Sequence, residues 1–242
     1  MANSGKTTAM LIADLDHPDK AVIRAAVDAL IPLAEASKEI RAILVKLLDD
    51  SPNKSRWAVA YVLAHLPEFP EAGLQTLLDA LDSRDSEVRW AIALLVTRLG
   101  KTDARVRRRL VELCGSGSPS QRRMAIYCIR DSGLTDRASL QSLFRALHDP
   151  DPMVRVATVS SLKGRSDLDE NGRRLILELF LNDHDVRVRN VAAITLAQLG
   201  STCKEFLVEL RKAQESDNRH LRKAASAALA LLQNKRSAPS GG

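Results

Sequence analysis

An arginine that follows a short polar turn recurs seven times along this chain, at Arg24, Arg56, Arg89, Arg123, Arg155, Arg189 and Arg222, with spacings of 32, 33, 34, 32, 34 and 33 residues. Two positions after each stands Ala26, Ala58, Ala91, Ala125, Ala157, Val191 or Ala224, nearly always the smallest side chain with a Cβ. Self-similarity at a fixed period of this length marks a chain built from stacked supersecondary units, none of which can bury its apolar face alone. The units are helical hairpins. Before each turn, apolar residues fall at i, i+3, i+4 and i+7, as in Leu74, Leu77, Leu78 and Leu81 or Leu140, Leu143, Phe144 and Leu147. After the turn, positions +2, +3, +6, +7 and +10 from the arginine are mostly apolar, as in Ala91, Ile92, Leu95, Val96 and Leu99. Each unit is therefore a helix A, a turn and a helix B, and no segment alternates with the period of two that a strand requires.

The turns carry helix-start signals. In "DSRDSEV", "DPDPMV" and "NDHDVRV", Asp85, Asp151 and Asp185 are placed to cap helix B and to favour its positive end. Gly100 and Gly200 are expected to close B helices as left-handed caps. Repeats are expected at 8–36, 37–69, 70–101, 102–135, 136–167, 168–200 and 201–234, within a single array over 1–236, and "SAPSGG" at 237–242 is read as a disordered tail.

The phrase Asp-x-Asp-x-x-Val-Arg-x-x-Ala, present as "DPDPMVRVA" and less completely as "DSEVRWA", resembles the short HEAT-type repeat named after phycobilisome lyases. The resemblance spans about residues 8 to 233. The first turn, "DHPDKAVIR", is longer than the family pattern and the fourth, "GSGSPSQRR", lacks its aspartate. The resemblance implies an all-α fold, a right-handed α-solenoid of seven two-helix repeats, with A helices on the convex side and B helices on the concave side. It also implies that the arginine column (Arg24, Arg56, Arg89, Arg155, Arg189, Arg222) and Asp85, Asp151 and Asp185 serve packing. Periodic Arg and Asp form charge-assisted pairs between turns, so a phosphate-lined groove is the weaker reading.

Composition fits an array of close-packed helices. Hydrophobic residues make up 45% but aromatic residues only 3%, so Leu, Ala, Val and Ile carry the core. No secretory leader and no apolar run of about 20 residues is present, which sets the expected location in the cytoplasm. The three cysteines, Cys114, Cys128 and Cys203, show neither CxxC nor disulfide spacing and are read as reduced thiols. The net charge of +6 is local: between Lys101 and Arg130 eight Lys and Arg stand against two acids. Arg105, Arg107, Arg108, Arg109, Arg122 and Arg123 form that basic patch.

Catalytic signals are weak. "SGKTT" at 4 to 8 lacks the first glycine and the preceding strand of a phosphate loop. His17, His65, His148, His184 and His220 are scattered over different repeats, and no His-Glu dipeptide of the kind repeated in di-iron helical-repeat hydroxylases occurs. No cofactor, metal or enzymatic activity is expected, with a chromophore-lyase-like role left only as family analogy. Glycosylases of the alkylation-repeat type share the solenoid, but no catalytic Asp matches theirs.

Both tryptophans follow the column arginine directly, at the +1 positions Trp57 and Trp90, with Tyr61 and Leu94 one turn on. Met124, Tyr127, Cys128 and Arg130 continue the group in the fourth repeat. Either these side chains fill seams between B helices or they project from the concave face. Val156, Asn190 and Lys223 at +1 in later repeats show that stacking needs no large ring there. The sequence therefore points to an interaction scaffold whose concave groove takes a helix or peptide, one with acidic flanks given the neighbouring arginines. A nucleic-acid-binding solenoid using residues 101–130 is the alternative, and binding to polyanions is otherwise expected to be weak and non-specific.

Overall fold

The computed structural model describes residues 6–49, 56–163, 165, 168–199 and 204–237, with only the helical backbone at 204, 205, 231 and 233–237. Gly200, Cys203 and residues 238–242 of the expected tail lie outside the described residues. Among these residues there are fourteen α-helices and no strand. The chain divides into two compact units, 1–107 and 108–242.

Unit 1 holds α1 (Thr8–Asp14), α2 (Lys20–Ala36), α3 (Lys38–Asp49), α4 (Arg56–Leu63), α5 (Glu71–Ala80), α6 (Ser86–Thr102) and the first turn of α7 (Ala104–Ser116). Even-numbered helices are the B helices; α1 packs on α2, α3 on α4, α5 on α6, and α2 on α4. Unit 2 holds the rest of α7 with α8 (Pro119–Asp131), α9 (Arg137–Ala146), α10 (Pro152–Ser161), α11 (Glu170–Asn182), α12 (Val186–Leu199), α13 (Lys204–Gln214) and α14 (Arg219–Ser237). Its B helices stack in chain order, α8 on α10, α10 on α12 and α12 on α14, with α9, α11 and α13 laid against them. Ser237, expected in the tail, is the last residue of α14. The cores are aliphatic: Leu30, Leu63, Leu74 and Ile92 are fully buried in unit 1, and Leu143, Leu147, Leu162 and Phe180 in unit 2.

The turn aspartates form the helix starts. Asp85 Oδ1 accepts from the amides of Glu87 and Val88 at 2.9 and 3.4 Å, and Asp151 Oδ1 from Met153 and Val154 at 2.7 and 3.3 Å. Asp185 Oδ1 accepts from the Arg187 amide at 2.8 Å, and the Arg187 guanidinium holds its carboxyl down to about 2. Gly100 does not end a helix. It is buried inside α6, which continues to Thr102 and is capped by Asp103, whose side chain starts α7 at once by accepting from the Arg105 amide at 2.8 Å. Among the described residues only Gly133 has the positive φ of a left-handed glycine.

The column arginines pin each turn to its own helix and, in unit 2, to the next repeat. Arg89, Arg155 and Arg222 each donate through a terminal nitrogen to the carbonyl six residues back, at 2.5, 2.7 and 2.6 Å, and Arg189 does so to Asp183. Arg155 then turns its other edge to Asp183 in a two-bond fork of 2.7 and 2.8 Å, with both side chains largely buried. This fork raises the Arg155 pKa and leaves it permanently charged.

In the fourth repeat the residue with this role is Arg122, not Arg123. Arg122 donates to the Gly117 carbonyl at 2.8 Å and forks onto Asp149 at 2.7 Å on both bonds. The fork acids are also two residues earlier than the expected ones: Asp149 and Asp183 span repeats, while Asp151 and Asp185 cap. The first acid of each Asp-x-Asp braces the second, accepting from the Asp151 and Asp185 amides at 2.9 and 2.8 Å.

Removing one partner of a buried pair strands the other. Arg155→Ala is expected to destabilise unit 2 by about 3 kcal/mol in urea unfolding, with Asp183→Ala close behind and the double variant costing less than their sum.

Candidate functional site

Shifting the fourth-repeat column from Arg123 to Arg122 changes what lies at each position after it. Met124 and Cys128 become +2 and +6, which are core positions, and both are buried at 1% exposure. They do not belong to an exposed face. Tyr127 falls at +5, the position of Tyr61 and Leu94, and is half-buried; Arg130 lies over its ring at 4.9 Å and pairs with Asp131 at 2.6 Å. Arg123 falls at +1 and is half-buried. Met124, Tyr127, Cys128 and Arg130 all belong to unit 2.

Unit 1 presents the other four expected residues on its B helices. Trp90 and Leu94, one turn apart on α6, are 47% and 69% exposed. Trp57 and Tyr61, one turn apart on α4, are half-buried. Together with Ile23 and Val27 of α2 and Val88 and Ala91 of α6, they line a cleft of about 260 Å³. The helical period puts both pairs on one side of the B layer. Positions +2, +3, +6 and +7 point to the A layer, as buried Ala58, Val59, Val62 and Leu63 show, which leaves +1 and +5 on the opposite side. The Tyr61 ring is 5.0 Å from that of His65, whose Nδ1–H donates to the Tyr61 carbonyl at 2.8 Å.

The rim of the cleft holds a bridge that the sequence did not signal. Lys20 of α2 reaches Asp85 at 2.6 Å and Glu87 at 3.0 Å, at the start of α6 and two repeats away. These contacts raise the Lys20 pKa and lower that of Asp85. Arg24, the first column arginine, is exposed and lines the same cleft with Asp28.

Most of the basic patch is engaged. In unit 1, Arg105 donates to Asp103 at 2.8 Å and to the Phe69 carbonyl at 3.1 Å, and Arg107 to the Gly100 carbonyl at 3.2 Å. In unit 2, Arg109 pairs with Glu112 at 3.1 Å and Arg122 with Asp149. Arg108 is exposed. Carboxylates neutralise Arg105, Arg109 and Arg122, whereas Arg107, bonded to a neutral carbonyl, keeps its full charge. Among the described residues no group of three or more His, Cys, Asp and Glu side chains converges on a point that could hold a metal. Cys114 is buried and its thiol is pushed up to about 12 by that burial, so it is a poor nucleophile. No helix among the described residues is long and apolar enough to cross a membrane.

Residues 8–95 match the family model described as HEAT repeats. Kap121p matches over 93% of this chain and 29% of its own length at 14% identity, with a TM-score of 0.56, a likeness of fold. An engineered protein matches over 97% of this chain and 69% of its own at 20% identity (TM-score 0.45), and a designed armadillo repeat protein over 93% and 100% at 18% identity (TM-score 0.42). No curated protein matches the sequence.

Position in the repeat predicts the response to truncation. Met124→Ala is expected to cost about 2–5 kcal/mol through lost burial and a residual cavity, whereas Leu94→Ala stays within about 0.5 kcal/mol. Urea unfolding of the two variants checks both.

Proposed function

We propose that the protein is a non-catalytic interaction scaffold that binds a protein or peptide partner on the B-helix face of unit 1. The carrying observation is the exposure of Trp90 and Leu94 beside an apolar cleft walled by Trp57 and Tyr61. A soluble fold does not need a tryptophan at +1 of helix B, because the same position holds Val156, Asn190 and Lys223 elsewhere in this chain. Large aromatic side chains standing out of a rigid helical layer are the groups that supply most of the energy at protein interfaces. Two apolar residues at i and i+4 next to a cleft suit the apolar stripe of an amphipathic helix.

The rims carry both signs, with Lys20, Arg24, Asp28 and Glu87 around the cleft and Arg98 and Lys101 further along α6. A partner with acidic residues toward the C-terminal half of α6 fits this distribution. Reduced, buried thiols support work in the cytoplasm. The nucleic-acid reading has less support, because Arg105, Arg107, Arg109 and Arg122 already hold partners within the fold.

The test is a photo-reactive residue at position 94, compared with the same residue at positions 43 and 208, where Ile43 and Val208 are also exposed apolar side chains. A partner crosslinked from 94 alone, and lost from a Trp90→Ala variant, is the expected result; crosslinking that does not depend on position contradicts the proposal. In titration, Trp90→Ala is expected to weaken binding at least about tenfold, as interface anchors do, and to change stability by less than about 1 kcal/mol.

A further inference from the structure

The forks that tie one repeat to the next in unit 2 have no counterpart among the described residues of unit 1, and at its second seam the sequence shows why. Where Arg122 and Arg155 find Asp149 and Asp183, 27 and 28 residues further on, Arg56 meets Ser83 at the equivalent offset. Ser83 still braces its turn, its Oγ accepting from the Asp85 amide at 3.2 Å as the fork acids do for their own turns. It has no carboxylate to offer the preceding repeat, and the buried Nε of Arg56 has no hydrogen-bond partner. The same replacement occurs at Ser216, and Nε of Arg189 is likewise unpartnered. There, however, α12 and α14 are 14 and 19 residues long and pack closely. At the second seam, among the described residues, α4 packs on α6 far less than the other successive B helices within a unit do on each other. The cleft beside Trp57 and Tyr61 lies between α2, α4 and α6, and at its rim Lys20 ties the first repeat to the third.

We infer that the seam between the second and third repeats is a built-in opening of unit 1, held by the Lys20 strap in place of an Arg–Asp fork, and that release of the strap admits a partner side chain to the cleft. The inference rests on the B-helix face being the binding surface. A buried fork holds at any ionic strength, whereas an exposed lysine bridge is weak and screened by salt. The strap therefore gives this seam a lower opening free energy than a forked seam such as those of Arg122 and Arg155, and the partner's apolar side chain takes the space that its release opens.

The test reads the cleft without a partner. In a Trp90→Phe background Trp57 is the sole tryptophan, and acrylamide quenching of its emission reports opening. Lys20→Ala is expected to raise the quenching constant roughly twofold, as local opening exposes a half-buried ring, and to remove the rise that the parent shows between about 0.02 and 0.5 M salt. Ser83→Asp, which supplies the missing carboxylate to Arg56, is expected to lower the constant and make it independent of salt, while Ser216→Asp leaves it unchanged. Circular dichroism confirms that the variants are folded, and Lys20→Gln, which retains most of the side chain's length, repeats the test if Lys20→Ala is not. Quenching unaltered by the lysine substitution, or by Ser83→Asp, overturns the inference. Because no partner is present, failure of the strap leaves the proposed binding face standing, and a face that binds nothing leaves the strap result valid.

Discussion

A guanidinium at the fourth residue past the cap of helix B is what gives this chain its period. One terminal nitrogen closes the turn onto a carbonyl of its own repeat, and at Arg122 and Arg155 the other edge reaches a carboxylate of the next. Such a fork is short, buried and directional, so it fixes the rotation between successive hairpins in a way that aliphatic packing alone does not. The hydrophobic effect supplies the larger stabilisation, through the leucine and alanine layers. The arginine supplies register. With Arg122 in its place the column spacing from Arg89 to Arg155 becomes even, and the apparent irregularity of the fourth repeat disappears.

The same interaction explains why the candidate site is where it is. Helix B turns +2, +3, +6 and +7 inward, so the two positions following the arginine on the other face, +1 and +5, are free of packing duty. In α6 they hold Trp90 and Leu94, and in α4 Trp57 and Tyr61. At the seam where Ser83 stands in place of a fork acid, the rings of Trp57 and Tyr61 line a cleft between α2, α4 and α6.

Much of this was legible in the sequence. The hairpin period, the capping aspartates and the helical class follow from residue spacing, because repeated local rules leave repeated signals. The register of the fourth repeat did not, since "QRRMA" offers two adjacent arginines and its turn has no aspartate to mark the cap. The cue was the capping box of Ser118 and Gln121, which starts α8 at Pro119 and sets Arg122 at the column position. Misreading it by one residue moved Met124 and Cys128 from the core to a groove. Gly100 misled for another reason: Asp103 both ends α6 and starts α7, so no left-handed residue is needed. The Lys20 bridge was beyond reach, because its partners Asp85 and Glu87 are 65 and 67 residues away and no rule of spacing pairs the first repeat with the third.

The central claim is that the open side of the B helices in unit 1 is a surface built for a partner. Hydrogen exchange at the amides of α4 and α6, followed with and without the captured partner, tests it most directly. The account predicts slowed exchange confined to the segments bearing Trp57, Tyr61, Trp90 and Leu94, with α3 and α5 unchanged. Protection that falls instead on the A helices, or only in unit 2, would contradict it.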